Sequence, residues 1–272
     1  SMCFFFFFIN VMNTELLLID FQNDFCSPQG SLYVPNADKD CANTADFIYK
    51  NIDKIHGITI TLDTHPFYHI AHPIFWKCKD GSTPEIYTQI TLEKFSQGEY
   101  IPVDEKLYDK VKSYLTQLEN SGKYTLILWP PHCLQATWGS CIQQDIWEAV
   151  HKWECLIPGR RVNYVTKALN PLTEHYSAIQ AEVPDPQDPN TTTNYSLVEH
   201  LKSKAIYVAG EALSHCVANT VSDLVSYIPA ENITLLSDCS SNVQGFEEQG
   251  NNFLNRLSQK GMKIIKSKNF TL

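Results

Sequence analysis

Five short segments carry the side chains that could do chemistry, and each closes or follows a strand-like run. Asp20 ends ELLLID, and Asp63 ends ITITLD with His65 two residues on. His132 follows YTLILW and two prolines, and Lys167 ends VNYVTK. Cys216 follows AIYVA, Gly210 and a tight turn, in the first turn of a helix-like segment. A thiol at a helix N-terminus feels the positive end of the dipole, which favours the thiolate. Taken alone, such a cysteine is more often a buried structural residue. The company it keeps changes that balance.

A carboxylate, a D-x-H pair, a histidine, a lysine and a cysteine at the ends of successive strands support nucleophilic acyl transfer. Cys216 would attack a carbonyl. Asp20 would take the thiol proton and return it to the leaving group. Lys167 would keep that carboxylate ionised. Backbone N–H groups in the turn before Cys216 would hold the oxyanion. Asp63, His65 and His132 are suited to Zn²⁺ or a similar divalent ion, three ligands with open positions. His69 is placed nearer the site than His72 by the D-x-H-x-x-x-H spacing.

These residues need a scaffold that brings strand ends together. Seven apolar runs read as strands: 15–20, 58–63, 124–129, 162–167, 205–209, 233–236 and 262–266. Helical patterns lie between them near 38–55, 104–120, 138–154, 194–203, 216–228 and 245–260. The strands are continuously apolar rather than alternating, so both faces are covered. Strand and helix alternate, which predicts an α/β fold, doubly wound around a mostly parallel sheet with helices on both faces. In such a sheet, ligands bind at the carboxyl ends of the strands. Residues 13–272 read as one domain with an insertion around 66–103. That insertion is too aromatic for disorder and reads as a lid, a pocket wall or an oligomer contact. Residues 1–12 read as an appendage: Ser1-Met2 as a cloning remnant, then a Phe-rich run too short to span a bilayer.

The net charge of −9 and scattered basic residues argue against nucleic acid, and no segment argues for a membrane. Nine cysteines at irregular spacing, with no CxxC pair, point to a reducing compartment, hence the cytoplasm.

The ordered set of motifs resembles the isochorismatase-like cysteine hydrolases, and within them the nicotinamidases. LLLIDFQNDFCSPQGSLYVP is similar to the family's first strand and loop, TLDTHPFYHI to its metal segment and LWPPHC to its W-P-x-H-C motif. VTKALNPLTEHYSA resembles the lysine segment and GEALSHCVANT the nucleophile turn. The resemblance spans about residues 14–240. It implies a six-stranded parallel sheet, an Asp20–Lys167–Cys216 triad and amide hydrolysis through a thioester, with ammonia released from a carboxamide. It implies a metal on the substrate's pyridine nitrogen and an aromatic pocket at Phe25 and Trp129. It also implies a cis peptide at Glu211–Ala212, which would aim the Ala212 and Cys216 amides at the oxyanion.

His69, Glu211 and His215 complete the expected pocket. Glu211, Ser214 and Ala168 depart from the family pattern, which leaves the triad intact and the substrate open. The leading reaction is nicotinamide to nicotinate plus ammonia. The alternatives are another small amide or ureido substrate, and a catalytically silent binding protein. The expected cofactor is a divalent metal, Zn²⁺ by donor type, and the expected assembly a homo-oligomer.

Overall fold

The β-rich runs form one parallel sheet in the computed structural model, which describes residues 12–272. The Phe-rich run expected as an appendage lies outside the described residues. The strands are β1 (Thr14–Ile19), β2 (Gly57–Asp63), β3 (Asn163–Lys167), β4 (Ala205–Gly210), β5 (Ile233–Leu236) and β6 (Lys263–Ile265). Their order is β6-β5-β4-β1-β2-β3, and every neighbouring pair is parallel. Leu16, Leu17, Leu18 and Ile19 of the central strand are fully buried, as covered faces require.

Eight α-helices accompany the sheet: α1 (Asn23–Cys26), α2 (Ala37–Lys50), α3 (Leu92–Ser96), α4 (Tyr108–Ser121), α5 (Gln144–Cys155), α6 (Tyr195–Leu201), α7 (Ala218–Leu224) and α8 (Glu247–Gln259). α2 packs on α5, and α7 on α8. The buried face of α4 is Val111, Tyr114, Leu115 and Leu118. Among the described residues, no helix is long and apolar enough to cross a membrane. The eight cysteines of the described residues are all free.

Direction reverses at β1. The chain moves from β1 to β2 and β3 on one side, then crosses over to β4 on the other. The crevice between the carboxyl ends of β1 and β4 is the switch point where such folds bind ligands. Asp20 follows one of those ends, and the turn to Cys216 follows the other.

One expected strand does not join the sheet. Of 124–129, only Leu126–Ile127 forms a ladder, antiparallel to Gln89–Ile90. Its neighbours are also bound by the insertion: Leu128 N–H donates to Thr88 O and Trp129 N–H to Ala71 O. With these backbone groups taken, the run cannot pair with β2, and β3 fills that edge. The insertion itself is a folded layer. Phe75, Trp76 and Phe95 are fully buried and share one apolar cluster with the strands.

At its start β1 carries a buried acid. The Glu15 carboxylate accepts from Thr59 Oγ1 (2.6 Å) and Lys204 Nζ (2.8 Å) and lies 2.9 Å from His200 Nε2. A side chain at Gly57 would overlap it.

Sharp turns follow two of the site strands. Asp20 has φ 51° and Ala168 has φ 67°, both in the left-handed region. Ala168 thus holds a conformation that suits glycine. Ala168→Gly should raise stability by about 1 kcal/mol, the left-handed penalty less the added chain entropy. A urea midpoint lower than that of the parent chain would contradict this.

Candidate active site

Lys167 ends β3 with its ammonium 1% exposed. Three oxygens surround it: Asp20 Oδ2 at 3.0 Å, Asp63 Oδ1 at 3.0 Å and the His175 carbonyl at 2.9 Å. Cys216 Sγ lies 3.7 Å away. Asp20 neighbours that thiol, and its Oδ1 accepts from Thr61 Oγ1 at 2.5 Å. The three residues expected as a triad therefore meet in one buried cluster.

The charges follow from this packing. Burial raises Asp20, and Lys167 opposes it. Burial would lower Lys167, but Asp20 and Asp63 hold it well above the usual lysine range. Burial alone would also raise Asp63; the flanking histidines and Lys167 more than reverse that. For Cys216 the dipole expectation is overturned. Residues Leu213–Val217 form a π-helical turn leading into α7, and Cys216 is buried in it. Burial pushes the thiol well above its usual range; Lys167 opposes this, but Asp20 and Asp63 add to it. This packing favours the thiol over the thiolate at Cys216, with the Asp20 carboxyl beside it.

Asp63, His65 and His132 stand together, with ligand atoms all within 4.8 Å of one another. Asp63 Oδ2 lies 3.6 Å from His65 Nδ1 and 3.4 Å from His132 Nε2. The other His132 nitrogen lies 2.8 Å from the Pro130 carbonyl, which fixes that nitrogen as the donor and leaves Nε2 free to ligate. Both ring nitrogens of His65 are buried without a hydrogen-bond partner, and burial lowers its pKa to about 3. A neutral imidazole with an unused lone pair beside a carboxylate fits a divalent cation. Gln22 locks the strand end beneath: its Nε2 donates to Asp63 O (2.6 Å) and its Oε1 accepts from Asp63 N (2.8 Å).

A narrow cavity opens beside the thiol, about 30 Å³ in volume, so an aromatic ring enters only if wall side chains turn aside. Phe25, Trp129 and His215 line it as expected, with Asp63, His132 and Cys216 at its base. Trp129 Nε1 donates to Tyr176 OH at 2.9 Å.

Two expected pocket residues lie elsewhere. His69 is fully buried and packs edge-on against His65 at 4.6 Å, behind the ligand cluster. Its Nδ1 accepts from Ala71 N–H, which turns the ring away from the cavity. Glu211 is also fully buried and faces α2 rather than the cavity, because its own backbone is fixed between Ile19 and the turn. His72, passed over on spacing, also packs against His65, at 5.1 Å. It forms a second close set with His65 and His69.

Sequence reasoning missed Glu174, His175 and Tyr176. Glu174 Oε1 lies 3.8 Å from His65 Nε2, and Glu174 and Tyr176 both line the cavity. A run of polar residues soon after a strand-end lysine was the available signal. Asp24 ties two loops together: Oδ1 accepts from Ser31 N–H and Oδ2 from Cys133 N–H.

No protein-family model matches the chain. It is 27% identical to a nicotinamidase of Saccharomyces cerevisiae over 205 residues, 75% of this chain and 78% of that one. The chain is thus similar in sequence to a nicotinamidase. Its fold is isochorismatase-like, as solved structures also show. The yeast nicotinamidase bound to the inhibitor nicotinaldehyde aligns at a TM-score of 0.64 and 24% identity, covering 93% of this chain and 99% of that one. The pyrazinamidase of Pyrococcus horikoshii in complex with zinc aligns at 0.56 and 21%, with the same coverage.

Lys167 is the cation shared by two buried acids. Lys167→Ala leaves Asp20 buried without its cation and Asp63 with only its flanking histidines, which should cost about 3–5 kcal/mol. The loss should shrink as pH falls from neutral toward about 4, because protonation then relieves the orphaned acids. A urea midpoint that is unchanged at neutral pH would contradict this.

Proposed function

We propose that this chain is a cysteine amidohydrolase that converts nicotinamide to nicotinate and ammonia. The observation that carries the reading is the cluster of Asp20, Lys167 and Cys216, whose thiol-bearing residue lines an aromatic-walled cavity. The yeast relative's name and the motif order both support the substrate.

The Asp20 carboxylate takes the Cys216 proton as sulfur bonds to the amide carbon. The carbonyl oxygen becomes an oxyanion. The amides of Gly210, Glu211 and Leu213 already donate to Cys239, Ile19 and Ser241, whereas the Ala212 amide has no backbone acceptor among the described residues. That amide, with the Cys216 amide, would receive the oxyanion. The Glu211–Ala212 peptide is cis. Asp20 then gives its proton to the leaving nitrogen, the C–N bond breaks, and ammonia departs from a thioester. Water attacks the thioester as Asp20 takes its proton. The C–S bond breaks, the thiolate recovers that proton, and nicotinate leaves. Throughout, Lys167 keeps Asp20 in place and offsets its charge.

Asp63, His65 and His132 would hold a divalent ion, Zn²⁺ by donor set, which when bound supplies a Lewis-acid anchor for the ring nitrogen. Phe25 and Trp129 would flank the ring.

Two measurements test this. Cys216→Ala should lower ammonia release from nicotinamide by about 10³-fold or more, with the circular-dichroism spectrum unchanged. Full activity in that variant would sink the mechanism, and activity on other carboxamides but not nicotinamide would replace the substrate. Elemental analysis of the purified protein should find about one divalent ion per chain, lost in His132→Ala. Equal metal content in both proteins would reject this ligand set.

A further inference from the structure

Behind the nucleophile turn, two acids meet with no cation among the groups that face them. Glu211 lies between the last residue of β4 and Ala212, and its amide donates to Ile19 O at 2.9 Å. Its carboxyl group is fully buried and points into the gap between the turn, α2 and the 238–241 loop. There Oε2 accepts from Ser241 N–H at 3.3 Å, while Oε1 has no partner among the hydrogen bonds that ordinary ionised carboxylates make. Asp40, in the first turn of α2, is within hydrogen-bonding reach of Glu211. Asp40 Oδ2 accepts from Ser241 Oγ at 2.5 Å. Ser241 O in turn accepts from Leu213 N–H at 2.7 Å, which closes the ring on the residue that begins the π-helical turn.

We propose that Glu211 and Asp40 share one proton, and that this carboxyl–carboxylate pair is the positioning device that sets the Ala212 amide and Cys216. The groups facing the pair are Asp38 and Cys41 from α2, Cys26 from α1 and Asp238 from the loop after β5. All are acids or thiols, so two adjacent carboxylates cannot both ionise cheaply. Glu211 keeps the proton and donates it to Asp40. Burial, then Asp40, pushes Glu211 well above the usual carboxylate range, consistent with that assignment. Loss of the proton at alkaline pH would set two charges against each other across the α2–turn contact. The turn would then shift while the cavity walls stay in place.

The pair rests on the reading of Cys216 as nucleophile, so two readouts run together from about pH 6 to about pH 10: nicotinamide kinetics and alkylation of Cys216 by iodoacetamide. Glu211→Gln keeps a donor for Asp40 and an acceptor for Ser241 but cannot ionise. It should keep kcat within about threefold of the parent at neutral pH and move the alkaline fall upward by about one pH unit or more. Glu211→Ala should lower kcat about tenfold or more, with KM within about twofold. An unmoved alkaline limb in Glu211→Gln overturns the proposal, as does Glu211→Ala lowering only the melting temperature. If Glu211→Ala does not fold, the Gln variant decides alone. If the parent protein does not hydrolyse nicotinamide, the substrate reading fails, and the pair is judged by whether Glu211→Gln shifts the pH profile of Cys216 alkylation.

Discussion

A single ammonium holds this site together. Lys167 donates to the Asp63 carboxylate and the His175 carbonyl and pairs with Asp20 Oδ2, and its side chain is almost wholly buried. Its charge is stable there only because Asp20 and Asp63 are both within 3.0 Å. Those two acids belong to different tasks, one beside the thiol and one among the histidines. The lysine therefore links Cys216 to the Asp63–His65–His132 cluster. The sheet supplies the geometry: β1, β2 and β3 are adjacent and parallel, so their carboxyl ends deliver Asp20, Asp63 and Lys167 to one point.

Around that point the fold withholds water and ties off backbone groups. Gln22 grips the end of β2, and Asp24 ties the first loop to Cys133. The insertion contributes a folded aromatic layer. It draws the 124–129 run out of the sheet and positions Trp129 through the Ala71 carbonyl. Burial then decides the protonation states. It favours the thiol form of Cys216 and the neutral form of His65, the forms that the proposed proton transfer and metal ligation would need.

Much of this was legible in the sequence because parallel strands mark their own carboxyl ends. Continuous apolar runs ending in Asp20, Asp63 and Lys167, and the Gly210 turn before Cys216, locate the site without any coordinates. What was not legible depended on long-range pairing. The run 124–129 is as apolar as its neighbours, and only its hydrogen bonds to 71–90 exclude it from the sheet. The helix-dipole argument for Cys216 was local, whereas the thiol's state is set by burial and by acids distant in sequence. Spacing favoured His69 for the pocket, but the backbone after His65 carries both His69 and His72 behind the cluster. Glu211 could not be oriented from sequence, since its partner Asp40 is on a helix far away in the chain.

The central strand has an acid close to each end: Glu15 inside its first turn of pairing and Asp20 just past its last. The first is bound by Thr59, Lys204 and His200, the second by Thr61 and Lys167. Between them the strand is leucine and isoleucine, a surface that would tolerate sliding. A slip of one residue would carry each carboxylate about 3.3 Å from its partners and swap the faces of every side chain between. The two acids thus work as end stops on a ruler. The network at the far edge of the sheet, remote from any substrate, is part of what keeps the proton acceptor in line with the sulfur.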